Sequence, residues 1–183
     1  MTFAALALMY GVEIPQHVEQ RVFGPLSDWT SAIGTLLVGA VIVTMPWPAR
    51  SPLGATIGRV LVAVVSTAGA LGSFLLVTRL MAFVPGTVLA VAGLVAQAIW
   101  LALVPRRIAR AALISRRMGG VAAWLGGAFL GGLAIVLAGF AVPVPALQWA
   151  LFIAGGVVGL LGWVGAPIWY LLLGAGGLRH SHS

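Results

Sequence analysis

Between Arg117 and Arg179 the chain runs for 61 residues without one Asp, Glu, Lys, Arg or His. A single membrane crossing takes about 20 residues, so this stretch has to fold back on itself. The turning point is Pro143-Val144-Pro145, because two prolines remove two backbone donors and block helix continuation. Shorter stretches of the same kind cover 29–49, 60–78 and 80–105. Only 7% of the 183 residues are charged, against roughly 25% in an average soluble domain. Ten Arg, three acids and three His cannot cover a water-soluble fold of this length. The chain is therefore an integral membrane protein. Cysteine is absent, which excludes disulfides, thiol catalysis and Cys-ligated metal.

Five transmembrane helices are expected, at about 29–46, 56–78, 85–104, 120–142 and 147–173. Only helices or closed barrels satisfy every backbone group in lipid, and a barrel would alternate polar and apolar residues, which these runs do not. The fold class is thus an all-α compact bundle spanning 29–173, with a basic connection at 105–118 and a tail at 174–183. Ser27 and Asp28 suit N-cap positions, and Pro85 suits a first helical turn. Arg59 and Arg79 are 20 residues apart, about 30 Å along a helix, so both are expected to snorkel to opposite interfaces. Trp29, Trp47, Trp100, Trp124, Trp149 and Trp169 fall near span ends, as an aromatic belt requires, and Trp163 lies deeper.

Residues 1–28 hold a short apolar segment, Met1 to Ile14, followed by a loop. With no Lys or Arg before Arg21, a signal peptide is a poor fit. The segment reads either as a re-entrant stretch or as the end of a sixth helix beginning upstream.

The basic residues are all Arg, and five of the ten (Arg106, Arg107, Arg110, Arg116 and Arg117) fall in one connection. The positive-inside rule places that connection in the cytoplasm, which puts the amino terminus outside and the carboxyl terminus inside. All three acids, Glu13, Glu19 and Asp28, then lie on the outer side. Arg with abundant Ala, Gly and Val suits a bacterial cytoplasmic membrane protein. On a helical projection Arg106, Arg110 and Arg117 group together, a surface suited to anionic lipid headgroups at about 1 kcal/mol per Arg. No groove-reading or aromatic motif accompanies the charge, so nucleic acid is not an expected partner.

Small residues recur at spacing four. Gly119, Ala123, Gly127, Gly131 and Gly139 form one stripe, with Gly120, Ala128 and Gly132 beside it. Gly155 and Gly159 continue into Gly162 and Ala166, and Gly69 and Gly72 stand in the second span. In lipid such stripes supply packing through close backbone approach. They can pack the fourth and fifth helices on each other and on the second, or dock a partner helix or a second copy. Leu at Gly127 is expected to disrupt whichever contact exists. Pro167, with glycines nearby, is a possible hinge in the fifth helix.

Polar groups within the spans are sparse: Thr35, Thr44, Ser66, Thr67, Ser73 and Gln97. Hydroxyls of this kind bond their own helix backbone, while Gln97 with Ser66 and Ser73 could line a polar cavity. There is no nucleophile with its base, no paired carboxylate and no buried His, so neither enzyme chemistry nor ion-coupled transport is expected. Glu13, His17, Glu19, His180 and His182 lack the spacing of a metal site, and no cofactor is expected. Two functions remain: a structural or accessory subunit packing through Gly stripes, or an uncoupled carrier or channel for an apolar or neutral solute.

Overall fold

A computed structural model describes residues 23–45 and 53–180, all helical apart from short connections. Its helices are α1 (Phe23–Thr44), α2 (Leu53–Val77), α3 (Phe83–Arg110), α4 (Arg116–Phe140) and α5 (Pro145–His180). Four are long and apolar enough to cross a membrane: Ala55–Val77, Phe83–Arg110, Arg116–Phe140 and Pro145–Ala175. The apolar part of α1, Asp28–Thr44, is shorter. Residues 1–22, with the amino-terminal segment and its acids, lie outside the described residues, as do Trp47 and His182.

The apolar surface points outward. Leu37, Leu53, Leu80, Phe83, Leu171 and many other large aliphatic and aromatic side chains are exposed, which water would not tolerate and lipid does. The chain divides into two compact units, one built from α1, α2 and α3 up to Ala96, the other from Gln97 onward.

In the first unit, α1 begins at Phe23 with Pro25 in its first turn. Positions 27 and 28 therefore lie inside the helix and not at its N-cap, because a proline's fixed φ already starts the helix upstream. Arg59 has a different role from the expected snorkelling. From α2 its Nε donates to Ile42 O at 2.8 Å, and its Nη2 donates to Met45 O at 2.9 Å and to Val43 O. These are terminal carbonyls of α1, so one guanidinium caps the helix and meets the negative end of its dipole. The other end of α2 closes in a Schellman turn. The backbone N–H of Arg79, a residue with φ 57, donates to Leu76 O at 3.0 Å, and Leu80 N donates to Leu75 O at 2.9 Å. Thr67 and Thr44 return their hydroxyls to the carbonyls of Ala63 and Ala40, both at 2.9 Å, as expected of hydroxyls in lipid.

In the second unit, α3 runs through Pro105 to Arg110, and α4 starts at Arg116. The basic connection is thus no long loop: all five Arg stand on helix ends, and the turn itself is 111–115. Ala112 takes φ 59 and closes α3 in a second Schellman turn, with Leu113 N donating to Ile108 O at 3.2 Å. Ser115 then caps α4, its Oγ accepting from Met118 N at 3.2 Å. At the far end α4 stops at Phe140 and α5 begins on Pro145, so the chain reverses at the double proline. The 36-residue α5 is continuous through Pro167.

Candidate functional site

The small residues do meet one another, but along lines that differ from the spacing-four stripe. In the first unit a Cβ placed on Gly69 would lie 2.8 Å from Gly93 Cα, and one on Gly72 would lie 2.7 Å from Leu89 Cβ and 2.9 Å from Gly86 O. Helices α2 and α3 therefore touch backbone to backbone. On another side of α2, a Cβ placed on Gly39 of α1 would lie 3.7 Å from Ser66 Cβ. Ser66 and Ser73 are buried, and Ser66 Oγ makes no hydrogen bond. Gln97 is half-buried at the start of the second unit.

In the second unit α4 shows small residues to two neighbours. A Cβ on Gly119 would meet Ala109 Cβ at 2.7 Å and Pro105 O at 2.9 Å, and one on Gly126 would meet Ala98 O at 2.6 Å. Gly119 faces the last turns of α3, and Gly126 faces its middle. Gly132 and Gly139 face α5. At Gly132 a Cβ would lie 2.5 Å from both Gly155 O and Gly159 Cα, and at Gly139 it would lie 2.7 Å from the Phe152 ring. From the α5 side, Gly155 meets Gly132 O at 2.7 Å, and Gly162 meets Leu125 O at 2.5 Å. Gly159 has more room, with Gly132 Cα at 3.7 Å. Ala123 is buried.

Gly127 and Gly131 behave differently. A Cβ at either meets nothing within 4 Å, and the same holds at Gly120. Leu at Gly127 would therefore break no contact within the unit, contrary to the expectation for the stripe. Gly126, Gly86 and Gly93 fall outside the spacing-four pattern, and the signal that finds the α4 contacts is a separation of seven, 119–126 and 132–139.

Two aromatic positions also depart from expectation. Trp100 and Trp169, placed in a lipid-facing belt by their position near span ends, are 1% exposed. Trp169 Nε1 donates to Met118 O at 2.9 Å, joining α5 to the first turn of α4. Tyr170 packs edge-on to Trp169 with centroids 5.0 Å apart, and stacks on Trp100 at 6.4 Å. Trp124 and Trp149 are exposed, as an aromatic belt requires.

The third feature is electrostatic. A cleft of about 470 Å³ opens where α3 ends and α4 begins, lined by Arg106, Ala109, Arg110, Arg116 and Gly120. All five Arg are exposed, and Arg107 and Arg117 do not line the cleft. The projection that groups Arg117 with Arg106 and Arg110 treats the segment as one helix; the turn at 111–115 resets the phase and brings Arg116 round. Arg110 ends α3 and suits the negative end of its dipole. Arg116 and Arg117 open α4, where no acidic residue accompanies them and each cation is unfavourable by about 0.3–1 kcal/mol.

Among the described residues no group of His, Cys, Asp or Glu could hold a metal ion. Compared with protein-family models, curated proteins and solved structures, the chain matches none.

Proposed function

We propose that this small multi-pass membrane protein is a non-enzymatic accessory subunit that docks a transmembrane helix of another chain on the outer face of α4. One observation carries the reading. The contacts of α4 inside its unit use Gly119, Gly126, Gly132 and Gly139, while Gly127 and Gly131 meet nothing within 4 Å. In lipid, packing gains come from close backbone approach rather than from escaping solvent. Two glycines one turn apart with nothing against them are the shape that lets a further helix approach. Co-purification from native membranes in mild detergent tests this: a stoichiometric complex that is lost in Gly127→Leu/Gly131→Leu supports it, and a complex indifferent to both changes opposes it. The competing carrier reading instead requires solute flux from proteoliposomes of the isolated chain.

The orientation belongs to the same proposal: a bacterial cytoplasmic membrane, with the 111–115 turn in the cytoplasm, the amino terminus outside and the carboxyl terminus inside. The excess of Arg at that turn supports it. Ala111 is exposed and the chain has no Cys, so Ala111→Cys is a clean reporter. In intact cells it should resist a membrane-impermeant thiol reagent and react once the membrane is opened; labelling in intact cells reverses the orientation.

A further inference from the structure

We propose that the cleft between the end of α3 and the start of α4 binds a phosphate group at the membrane surface, held by Arg106, Arg110 and Arg116. The first ground is the convergence of three guanidinium-bearing residues on one cleft of about 470 Å³, with Ala109 and Gly120 leaving its wall open. No Cβ stands at Gly120, and one placed there would meet nothing within 4 Å. The space is thus wide enough for a tetrahedral anion, and Arg forks match its oxygens two at a time.

The second ground is charge balance. From Gln97 to the end of the chain there is no Asp or Glu at all. Within this unit the five Arg around the cleft have no Asp or Glu to pair with, so neutralisation comes from outside it. The third ground is the dipole of α4. Its first turn begins with Arg116 and Arg117 and carries no acidic residue, so cations stand where a helix favours an anion. A phosphate there would offset both the helix end and the guanidinium groups.

Depth fits this ligand. The 28 residues of α3 extend about 42 Å, whereas the hydrocarbon core takes about 30 Å. The apolar part of α3 ends at Pro105, so Arg106 and Arg110 fall at headgroup level. The same chemistry is offered by an anionic phospholipid and by free phosphate in the adjoining water.

The test uses the full chain in phosphatidylcholine nanodiscs, with phosphatidylglycerol titrated in and bound lipid read by native mass spectrometry. Two double variants of equal charge are compared, Arg106→Gln/Arg116→Gln at the cleft and Arg107→Gln/Arg117→Gln beside it. The cleft pair should lower lipid affinity roughly thirty-fold, about five-fold for each guanidinium removed from the headgroup. All five Arg are exposed, so the contrast rests on convergence: the flanking pair, outside the cleft, should change it less than about three-fold, as for single screened charges. Arg106→Lys/Arg116→Lys keeps the charge and loses the fork, and should fall between them, which guards against a folding artefact. Inorganic phosphate is then added against chloride at equal ionic strength. If it displaces the lipid through the cleft pair alone, free phosphate is a ligand of the same site; if it does not, the site takes its phosphate from lipid. Equal losses in the two double variants, or no phosphatidylglycerol preference in the wild type, would overturn the proposal.

Discussion

Gly132→Leu is expected to force α4 and α5 apart and to lower stability by about 3 kcal/mol, at the upper end of ordinary overpacking costs. The atoms that a Cβ there would meet at 2.5 Å are Gly155 O and Gly159 Cα. Both belong to backbone, so no rotamer change relieves the clash, and ordinary contact starts only at 3.4 Å. Relief needs movement of a whole helix. That movement would also loosen Gly155 on Gly132 O and Gly162 on Leu125 O, the neighbouring close approaches along the same seam. Leu is the better helix former by nearly 1 kcal/mol, which offsets a minor part of the loss. Gly127→Leu is the matched control. It makes the same change five residues away in open space, so the isolated chain should keep its stability or gain slightly. Unfolding midpoints in one detergent compare the pair; equal destabilisation by both would refute the assigned seam.

Trp169→Ala is expected to cost about 3–5 kcal/mol, the range for deleting a buried aromatic. The side chain is 1% exposed, packs edge-on to Tyr170 at 5.0 Å and donates to Met118 O at 2.9 Å. Truncation thus removes packing volume and the indole tie between α5 and the start of α4 together. Trp169→Phe separates the two contributions, keeping most of the ring and losing the donor, for about 1 kcal/mol. Trp149, exposed and near the other end of α5, should tolerate Ala with a much smaller change. A Trp169→Ala protein as stable as wild type would show that α5 is held by its glycine seam alone.

Much of the fold is readable from the sequence because charge and proline punctuate it. The double proline marks the α4–α5 reversal, and Arg at either end brackets the longest apolar stretch. The faces of the helices are harder to read. Lipid is as apolar as the helix interface, so these helices are apolar all round and periodicity does not separate inside from outside. Trp100 and Trp169 illustrate this: their distance from the span ends suggests an interfacial belt, yet both are buried.

Gly127 and Gly131 fail as in-chain contacts for a geometric reason. Each step of four advances about 400° at 3.6 residues per turn, so a stripe begun at Gly119 drifts by about 120° before Gly131. Steps of seven drift by only about 20°, which is why Gly119 shares a neighbour with Gly126, and Gly132 with Gly139. Arg59 shows another gap. Its position says interface, but capping α1 depends on a tertiary approach of the α1 end that spacing along one helix does not encode.

The glycines left over by that drift are the basis of the proposed docking face, and photo-crosslinking from its edge, at Trp124, tests it most directly while leaving both glycines in place. Trp124 is 58% exposed and precedes Gly127 by three residues; Trp124→Cys in this Cys-free chain, carrying a benzophenone maleimide and irradiated in native membranes, should give one discrete protein adduct. A cysteine replacing Leu171, which is 74% exposed on α5, should give lipid adducts under the same conditions. The adduct's mass separates a second copy from a different chain. Lipid adducts alone at both positions would contradict a docked helix on α4.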